Sequence, residues 1–122
     1  MDWPDRAQPM NLDELANHLR TSFSDPVVQK LAAVVLEWKT DTSTVEDLRE
    51  KIDRYIGNSW ISREEDHQKV YGLWSSFRDD AIGAIGGMTM NERLYWFGLF
   101  DRFDRSTKEE QLILFRKLHA TP

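Results

Sequence analysis

The helical character of this chain is clearest in residues 25–38, which read DPVVQKLAAVVLEW. Asp25 is a residue type that caps helices, and Pro26 loses no hydrogen bond at the first helical position, where the N–H has no partner within the helix. The apolar residues that follow recur at intervals of three and four, the spacing of one helix face, and not at the interval of two that indicates a strand. The stretch therefore predicts a strongly apolar helix.

The same kind of start signal recurs along the chain on both sides of this stretch. A small polar residue is followed three positions later by an acid, the pattern of a capping box or of a first-turn carboxylate beside the helix dipole. Five further helices are predicted from the pairs Asn11 and Glu14, Ser43 and Glu46, Ser62 and Glu65, Thr89 and Glu92, and Ser106 and Glu109.

These signals predict an all-α protein in which residues 1–122 form a single domain of about six helices, arranged as a bundle or an orthogonal array. Residues 1–10, which contain Pro4 and Pro9, are expected to be an irregular N-terminal arm. The fourth helix is expected to reach about Ile85, where Gly86 and Gly87 end it, and Gly83 is interpreted as a close approach of two helices.

Composition restricts the class of protein. Hydrophobic residues make up 40% of the chain and charged residues 30%, a balance typical of globular domains. The chain has no cysteine, which fits a reducing compartment. It has no apolar run near the roughly 20 residues of a membrane span and no signal-peptide pattern at its N-terminus. We therefore expect a cytoplasmic protein with no membrane partner.

The charge pattern argues against a nucleic-acid partner. The chain is acidic, with a formal net charge of −5. Basic residues do not form a stripe, since Arg49, Lys51 and Arg54 alternate with Glu50 and Asp53. The acids are likewise mixed with bases, so the long acidic blocks of a DNA mimic are missing.

One short motif has the spacing of metal ligands. Glu64 and His67 form Glu-x-x-His, which places two ligands on one helix face in di-iron bundles. Such sites need a second copy of the motif, but His18 and His119 lack an acid three residues earlier. We predict no metal, no other cofactor and no catalytic residue, and we retain a small metal-dependent helical-bundle enzyme using Glu64 and His67 as the alternative.

The fifth predicted helix, from Thr89 to about Phe103, differs from the others because residues 94–100 are all apolar or glycine. A helix on the surface of one core needs an apolar stripe of only about 100°. Either this helix is the centre of the domain, or one side of it faces a partner. Leu94, Phe97 and Phe100 are expected to be buried, and at least one of Trp96, Leu99 and Phe103 is expected at a surface patch or subunit contact.

The sequence thus favours a non-enzymatic protein-interaction domain, such as a small cytoplasmic regulator, inhibitor or adaptor. The expected partner is another protein or a second copy of the chain in a homodimer. The candidate partner-binding residues are Tyr95, Trp96, Leu99 and Phe103. A helical bundle whose aromatic residues line a ligand pocket is a third possibility.

Overall fold

The computed structural model describes residues 9–122, and within them the chain is all-α, as predicted. It contains seven α-helices and no strand in this range. The helices are α1 (Leu12–Ser22), α2 (Pro26–Trp38), α3 (Val45–Asn58), α4 (Glu64–Phe77), α5 (Met90–Phe97), α6 (Phe100–Asp104) and α7 (Lys108–Lys117). Most of the expected N-terminal arm lies outside the described residues.

Three of the predicted helix starts are confirmed. Asn11 and Glu14 form a reciprocal capping box at α1, and Thr89 and Glu92 form another at α5. The Asp25 carboxylate accepts the N–H of Val27 at 2.8 Å at the start of α2. These side chains supply partners for the N–H groups that a helix leaves unbonded at its N-terminus.

Two starts are wrong by one residue. Thr44 with Asp47 caps α3, and Thr107 with Glu110 caps α7. Ser43 is unavailable because its N–H and hydroxyl both donate to Asp41. At α7, the hydroxyl of Ser106 donates to the Arg102 carbonyl of the preceding helix.

The predicted start of α4 at Ser62 is also wrong. The helix begins at Glu64, and Arg63 at its N-cap makes no side-chain capping bond. The backbone N–H of Ser62 donates instead to Asp25 at the start of α2, at 3.0 Å. Ser62, which the sequence predicts as a helix cap, therefore joins the loop before α4 to the start of α2.

The end of α4 departs from the predicted regular helix. A π-helical turn follows at Arg78–Ile82, with the N–H of Gly83 bonded to the Arg78 carbonyl at 2.9 Å, and a short 3-10 turn at Ile85–Gly87 comes next. A Cβ on Gly83 would lie 2.8 Å from the Asp79 carbonyl oxygen. Gly83 therefore accommodates the wider turn of its own segment, and the predicted close approach of a second helix is wrong.

The predicted continuous helix from Thr89 to Phe103 is also wrong, because Gly98 divides it into α5 and α6. Gly98 has φ +66°, in the left-handed region, and the Leu99 N–H bonds back to the Leu94 carbonyl at 2.9 Å. This is the hydrogen bond of a Schellman C-cap. A Cβ at Gly98 would lie within 2.8 Å of the Asp13 carboxylate atoms of α1.

One hydrophobic core joins the helices. The α1 helix packs on α2, α4 and α5, while α3 packs on α2 and on the π-turn, and α6 packs on α5 and α7. Among residues 9–122, no helix combines the length and apolar character that crossing a membrane requires. The largest fully buried side chains include Trp74, Phe97, Leu12, Leu15, Leu19, Leu31, Leu48, Ile52, Leu99, Leu114 and Leu118.

Candidate functional site

The left-handed turn at Gly98 decides which aromatic residues of α5 and α6 reach the surface. Leu94 and Phe97 are buried, as predicted, but Phe100 is 40% exposed, so its predicted burial is wrong. Leu99, offered as a partner-binding residue, is 0% exposed. The turn rotates the chain between the two helices, so the spacing that holds within α5 does not continue into α6. Leu99 therefore points inward and Phe100 outward.

Three of the four predicted contact residues remain accessible. Tyr95 is 51% exposed, and Trp96 and Phe103 are partly buried. With Phe100 added and Leu99 removed, Tyr95, Trp96, Phe100 and Phe103 define what we call the α5–α6 aromatic surface.

Buried and partly buried rings lie against the α5–α6 aromatic surface. The Trp96 ring lies 6.2 Å from the Tyr95 ring and 6.4 Å from the core Phe77 ring, measured between centroids. The ring of Phe103 meets that of Phe115 on α7 edge-on at 5.9 Å. These distances are within the range of favourable aromatic pairs. Trp96 and Phe103 are therefore held by contacts within the chain.

The most extensive buried polar cluster surrounds Lys117, which the sequence interpretation did not single out. Its side chain is 0% exposed, and its Nζ donates to the carbonyls of Trp38, Asp41 and Ser43 at 2.5–2.9 Å and to the Asp41 carboxylate at 2.8 Å. The ammonium also lies 3.8 Å from the Trp38 ring centroid. We call this group the Lys117 cluster.

Burial and the contacts between Lys117 and Asp41 act in opposite directions on the pKa values of both groups. Burial lowers the pKa of Lys117, because the charged form loses its hydration, and the Asp41 carboxylate partly offsets this effect. Burial raises the pKa of Asp41, but hydrogen bonds from Lys117 and Ser43 outweigh it, so its net pKa is below the usual value. With all its polar contacts supplied by the chain, the cluster fastens α7 to the turn between α2 and α3.

Two arginines make comparable internal contacts. Arg93, which is 9% exposed, donates to the Ile85 carbonyl at 2.9 Å and to the His119 carbonyl at 3.0 Å. Arg102 donates to the carbonyls of Lys39 and Asp41 at 2.6 and 2.9 Å. Both guanidinium groups satisfy backbone carbonyls at chain turns, which gives them a structural role.

A groove of about 510 Å³ lies along α3 and α4, and we call it the α3–α4 groove. At one end Asp53 accepts hydrogen bonds from the Trp74 indole at 2.7 Å and from Arg78 at 3.1 Å, and Arg49 lies 3.3 Å away. The Arg78 guanidinium, which begins the π-turn, lies 6.0 Å from the Tyr71 ring centroid. The residues that line the α3–α4 groove are Asp53, Ile56, Gly57, His67, Tyr71 and Arg78.

The α3–α4 groove contains one half of the candidate metal pair. His67 lines it, but the nearby acid, Asp53, is occupied by the indole and guanidinium groups. Among residues 9–122, no group of three histidine, aspartate or glutamate side chains converges as metal ligands would. Within this range, the structure therefore brings no complete set of metal ligands to Glu64 and His67.

A second groove, of about 770 Å³, lies between α1 and α4, and we call it the α1–α4 groove. Phe23, Leu73 and Phe77 supply its apolar walls, and Lys69 and Asp80 supply charge. The residues of this groove come from parts of the chain that local sequence patterns could not bring together.

Trp60, in the loop between α3 and α4, is the most exposed large apolar residue in the described range, at 82%. The sequence interpretation did not select it, because periodicity assigns a buried or exposed face only within a helix or strand. The available signal was a tryptophan between the end of α3 and the start of α4, outside any helical repeat. Comparison of the chain with models of protein families, with curated proteins and with solved structures gave no match.

Proposed function

We propose that this chain is a non-enzymatic protein-interaction domain that binds a protein partner through the α5–α6 aromatic surface. The observation that carries the proposal is the exposure of Tyr95 (51%) and Phe100 (40%) on either side of the Gly98 turn. Aromatic side chains are enriched at the centres of protein interfaces, and tyrosine and tryptophan are frequent among residues that dominate binding energy.

The packing beneath these residues supports the same proposal. Trp96 rests on Phe77, and Phe103 rests on Phe115, so the surface has a preformed base. Binding to a preorganised surface loses less conformational freedom than ordering a mobile one. The α5–α6 aromatic surface therefore suits a partner that presents apolar side chains.

The internal use of the polar clusters supports a non-enzymatic role. Lys117, Arg93 and Arg102 each donate to carbonyls of the chain, and Asp41 is bonded to Lys117 and Ser43. An acid–base or nucleophilic site needs groups that can reach a substrate. A cytoplasmic regulator, inhibitor or adaptor, the role expected from composition and charge, belongs to the same proposal.

The proposal is tested by site-specific photocrosslinking followed by binding measurements. A photoreactive phenylalanine analogue at position 95 or 100 identifies a partner in cells, and affinity is then measured with both purified proteins. We expect Tyr95→Ala or Phe100→Ala to weaken binding at least about tenfold, which corresponds to about 1.4 kcal/mol.

Leu36→Ala is the matched control, because Leu36 is similarly exposed (38%) but lies on α2. Its affinity for the partner should equal that of the wild type. Equal weakening by all three substitutions, or no weakening by Tyr95→Ala and Phe100→Ala, would contradict the proposed surface.

Binding of a small apolar ligand is a second candidate function, favoured by the α1–α4 groove. Its volume of about 770 Å³ falls within the size range of small-molecule sites, and Phe23, Leu73 and Phe77 give it apolar walls. Fragment screening by NMR tests this function. If the α1–α4 groove binds a small ligand, the chemical shifts of these residues should change most when the ligand is added. Chemical-shift changes confined to α5 and α6 would count against this function.

A further inference from the structure

Trp60 is held in an exposed position by a loop that is fixed on both sides. The hydroxyl of Ser59 donates to the Tyr55 carbonyl, Ile61 is only 7% exposed, and the Ser62 N–H donates to Asp25 at 3.0 Å. The Trp60 side chain is nevertheless 82% exposed. The fold thus anchors the backbone of this loop and leaves the indole, a large apolar group, outside the core.

The α3–α4 groove lies beside this loop and has room for an aromatic ring. Gly57, three residues before Trp60, lines the groove, and a Cβ built on it would meet no heavy atom within 4 Å. Glycine within a helix is less favourable than alanine, and packing within the described chain does not require it here. The missing side chain at position 57 keeps the groove open.

The walls of the α3–α4 groove match the chemistry of an indole. The Tyr71 ring is 47% exposed, and the Arg78 guanidinium lies 6.0 Å from its centroid. Aromatic rings stack against one another, and cations are attracted to the faces of indoles more than to those of other side chains. Ile56, on α3, is an apolar residue of the groove lining.

We propose that the α3–α4 hairpin is a homodimer interface in which the Trp60 indole of each copy occupies the α3–α4 groove of the other. Trp60 follows Gly57 of the groove lining by three residues, so the exposed ring and the groove belong to neighbouring parts of the chain. A two-fold axis close to Gly57 therefore forms both contacts at once, as in other self-complementary interfaces. This interface is separate from the α5–α6 aromatic surface and does not depend on it.

Local charge permits this contact despite the overall charge of −5. Asp53, the acid that lines the α3–α4 groove, lies 3.1 Å from Arg78 and 3.3 Å from Arg49. A second copy therefore meets a groove whose charges are already paired. A second copy supplies the exposed indole that matches the aromatic ring and the cation of the α3–α4 groove, so two copies present complementary surfaces to each other.

The first test is sedimentation of the full chain from about 1 µM to about 1 mM, a range that covers weak and moderate dimers. We expect a concentration-dependent dimer whose dissociation constant rises at least about tenfold in Trp60→Ala, because a central tryptophan dominates such an interface. Leu112→Ala is the control for an exposed apolar residue elsewhere, since Leu112 is 54% exposed on α7, and it should dimerise like the wild type.

A complementation experiment tests the reciprocal arrangement. Gly57→Phe fills the α3–α4 groove but keeps Trp60, whereas Trp60→Ala keeps the groove but lacks the indole. Neither variant should self-associate at concentrations where the wild type is dimeric, and an equimolar mixture should form heterodimers that retain one of the two contacts. Circular dichroism checks that both variants retain their helices.

Three results would overturn the proposal. One is a wild-type chain that stays monomeric at about 1 mM, which is the weakest affinity worth assigning to an interface. Another is a dimer that neither Trp60→Ala nor Gly57→Phe weakens, or that Leu112→Ala weakens equally. The third is Trp60-dependent binding to phosphatidylserine vesicles by a chain that does not dimerise, which would assign the indole to a lipid surface.

Discussion

Loops 39–44 and 59–63 each join two helices, and each is associated with one tryptophan. Trp38 directly precedes the first loop and is buried, whereas Trp60 lies within the second loop and is exposed. At the first loop, the Trp38 ring is buried under the Lys117 ammonium, and its indole N–H donates to the Thr44 carbonyl at 3.0 Å. At the second loop, the backbone is anchored through Ser62 and Asp25, whereas the Trp60 ring is 82% exposed.

The comparison distinguishes Trp38, which stabilises the fold, from Trp60, which the fold holds at the surface. The Lys117 cluster fastens α7 to the end of α2 and to the turn between α2 and α3, so the burial of Trp38 is explained within the chain. Among residues 9–122, the anchoring of the second loop leaves the Trp60 ring 82% exposed and so does not explain why a tryptophan is present. A large apolar ring that an anchored loop holds in an exposed position therefore favours a binding role for Trp60.

The largest expected effect is the loss of the ammonium in Lys117→Met. This substitution removes one donor from the half-exposed Asp41 carboxylate and from the carbonyls of Trp38, Asp41 and Ser43, and each hydrogen bond from a charged group is typically worth about 1.5–3 kcal/mol. Urea denaturation followed by circular dichroism measures the change. Lys108→Met, an exposed lysine on the same helix, should change the free energy of unfolding by less than about 0.5 kcal/mol. Similar values for the two variants would refute the structural role of the cluster.

A smaller, local effect is expected from Asp25→Asn. Asparagine still caps α2, but its single carbonyl oxygen cannot serve Val27 and Ser62 through separate oxygens as the carboxylate does. The amide of Ser62 should exchange faster with solvent while the amides within α2 remain protected, as NMR hydrogen exchange can show. Unchanged protection of Ser62 would mean that Asp25 does not anchor the Trp60 loop.

The same carboxylate predicts a pH dependence with a definite sign. Hydrogen bonds from the backbone N–H groups of Ser62 and Val27 lower the pKa of Asp25 below its ordinary value of 3.8. A carboxyl whose pKa is lower in the folded state stabilises the fold above its unfolded pKa, and that contribution is lost as the pH falls through the folded pKa. Protection of the Ser62 amide, after correction for intrinsic exchange, should therefore decrease in acid below pH 3.8. The acid-dependent decrease should be absent in Asp25→Asn, and an equal decrease in both proteins would exclude Asp25 as its source.

The smallest effect on folding is expected at Trp60. Because the side chain is 82% exposed, Trp60→Ala should change the stability of the monomer by less than about 0.5 kcal/mol. Trp38→Ala is the contrasting variant, since removal of a buried tryptophan typically costs about 3–5 kcal/mol. Urea denaturation at a concentration where the chain is monomeric measures both, and a large loss of stability in Trp60→Ala would show that the fold uses this ring after all.

The all-α class and several helix starts were predictable because they depend on local patterns. Asn11, Asp25 and Thr89 each have their capping partner within three residues, so neighbouring sequence is sufficient. At Ser43 and Thr44 two candidates fit the same pattern, and the choice depends on the hydrogen bonds of the Asp41 turn. Local patterns therefore predicted where the helices lie more accurately than they predicted the residue at which each helix begins.

The contacts that define the candidate surfaces were less predictable because they join distant segments. Lys117 lies between Leu114 and Leu118 on the buried stripe of α7, so its burial could have been predicted, but its acceptors lie 74–79 residues earlier. The register of Phe100 depends on the left-handed turn at Gly98, which packs against Asp13 of α1. The repeat of a continuous helix does not predict such a break. This explains why Leu99, expected as a contact residue, is buried and why Phe100, expected to be buried, is exposed.

The central claim, that Trp60 is displayed for contact with a second copy, is tested most directly by fluorine NMR of the chain labelled with 5-fluorotryptophan. The Trp60 signal is assigned from its loss in Trp60→Phe, and spectra are recorded from about 10 µM to about 1 mM, where a weak dimer forms. The account predicts that the Trp60 resonance shifts or broadens with concentration, while those of the buried Trp38 and Trp74 do not. A Trp60 resonance that stays constant over this range would contradict it.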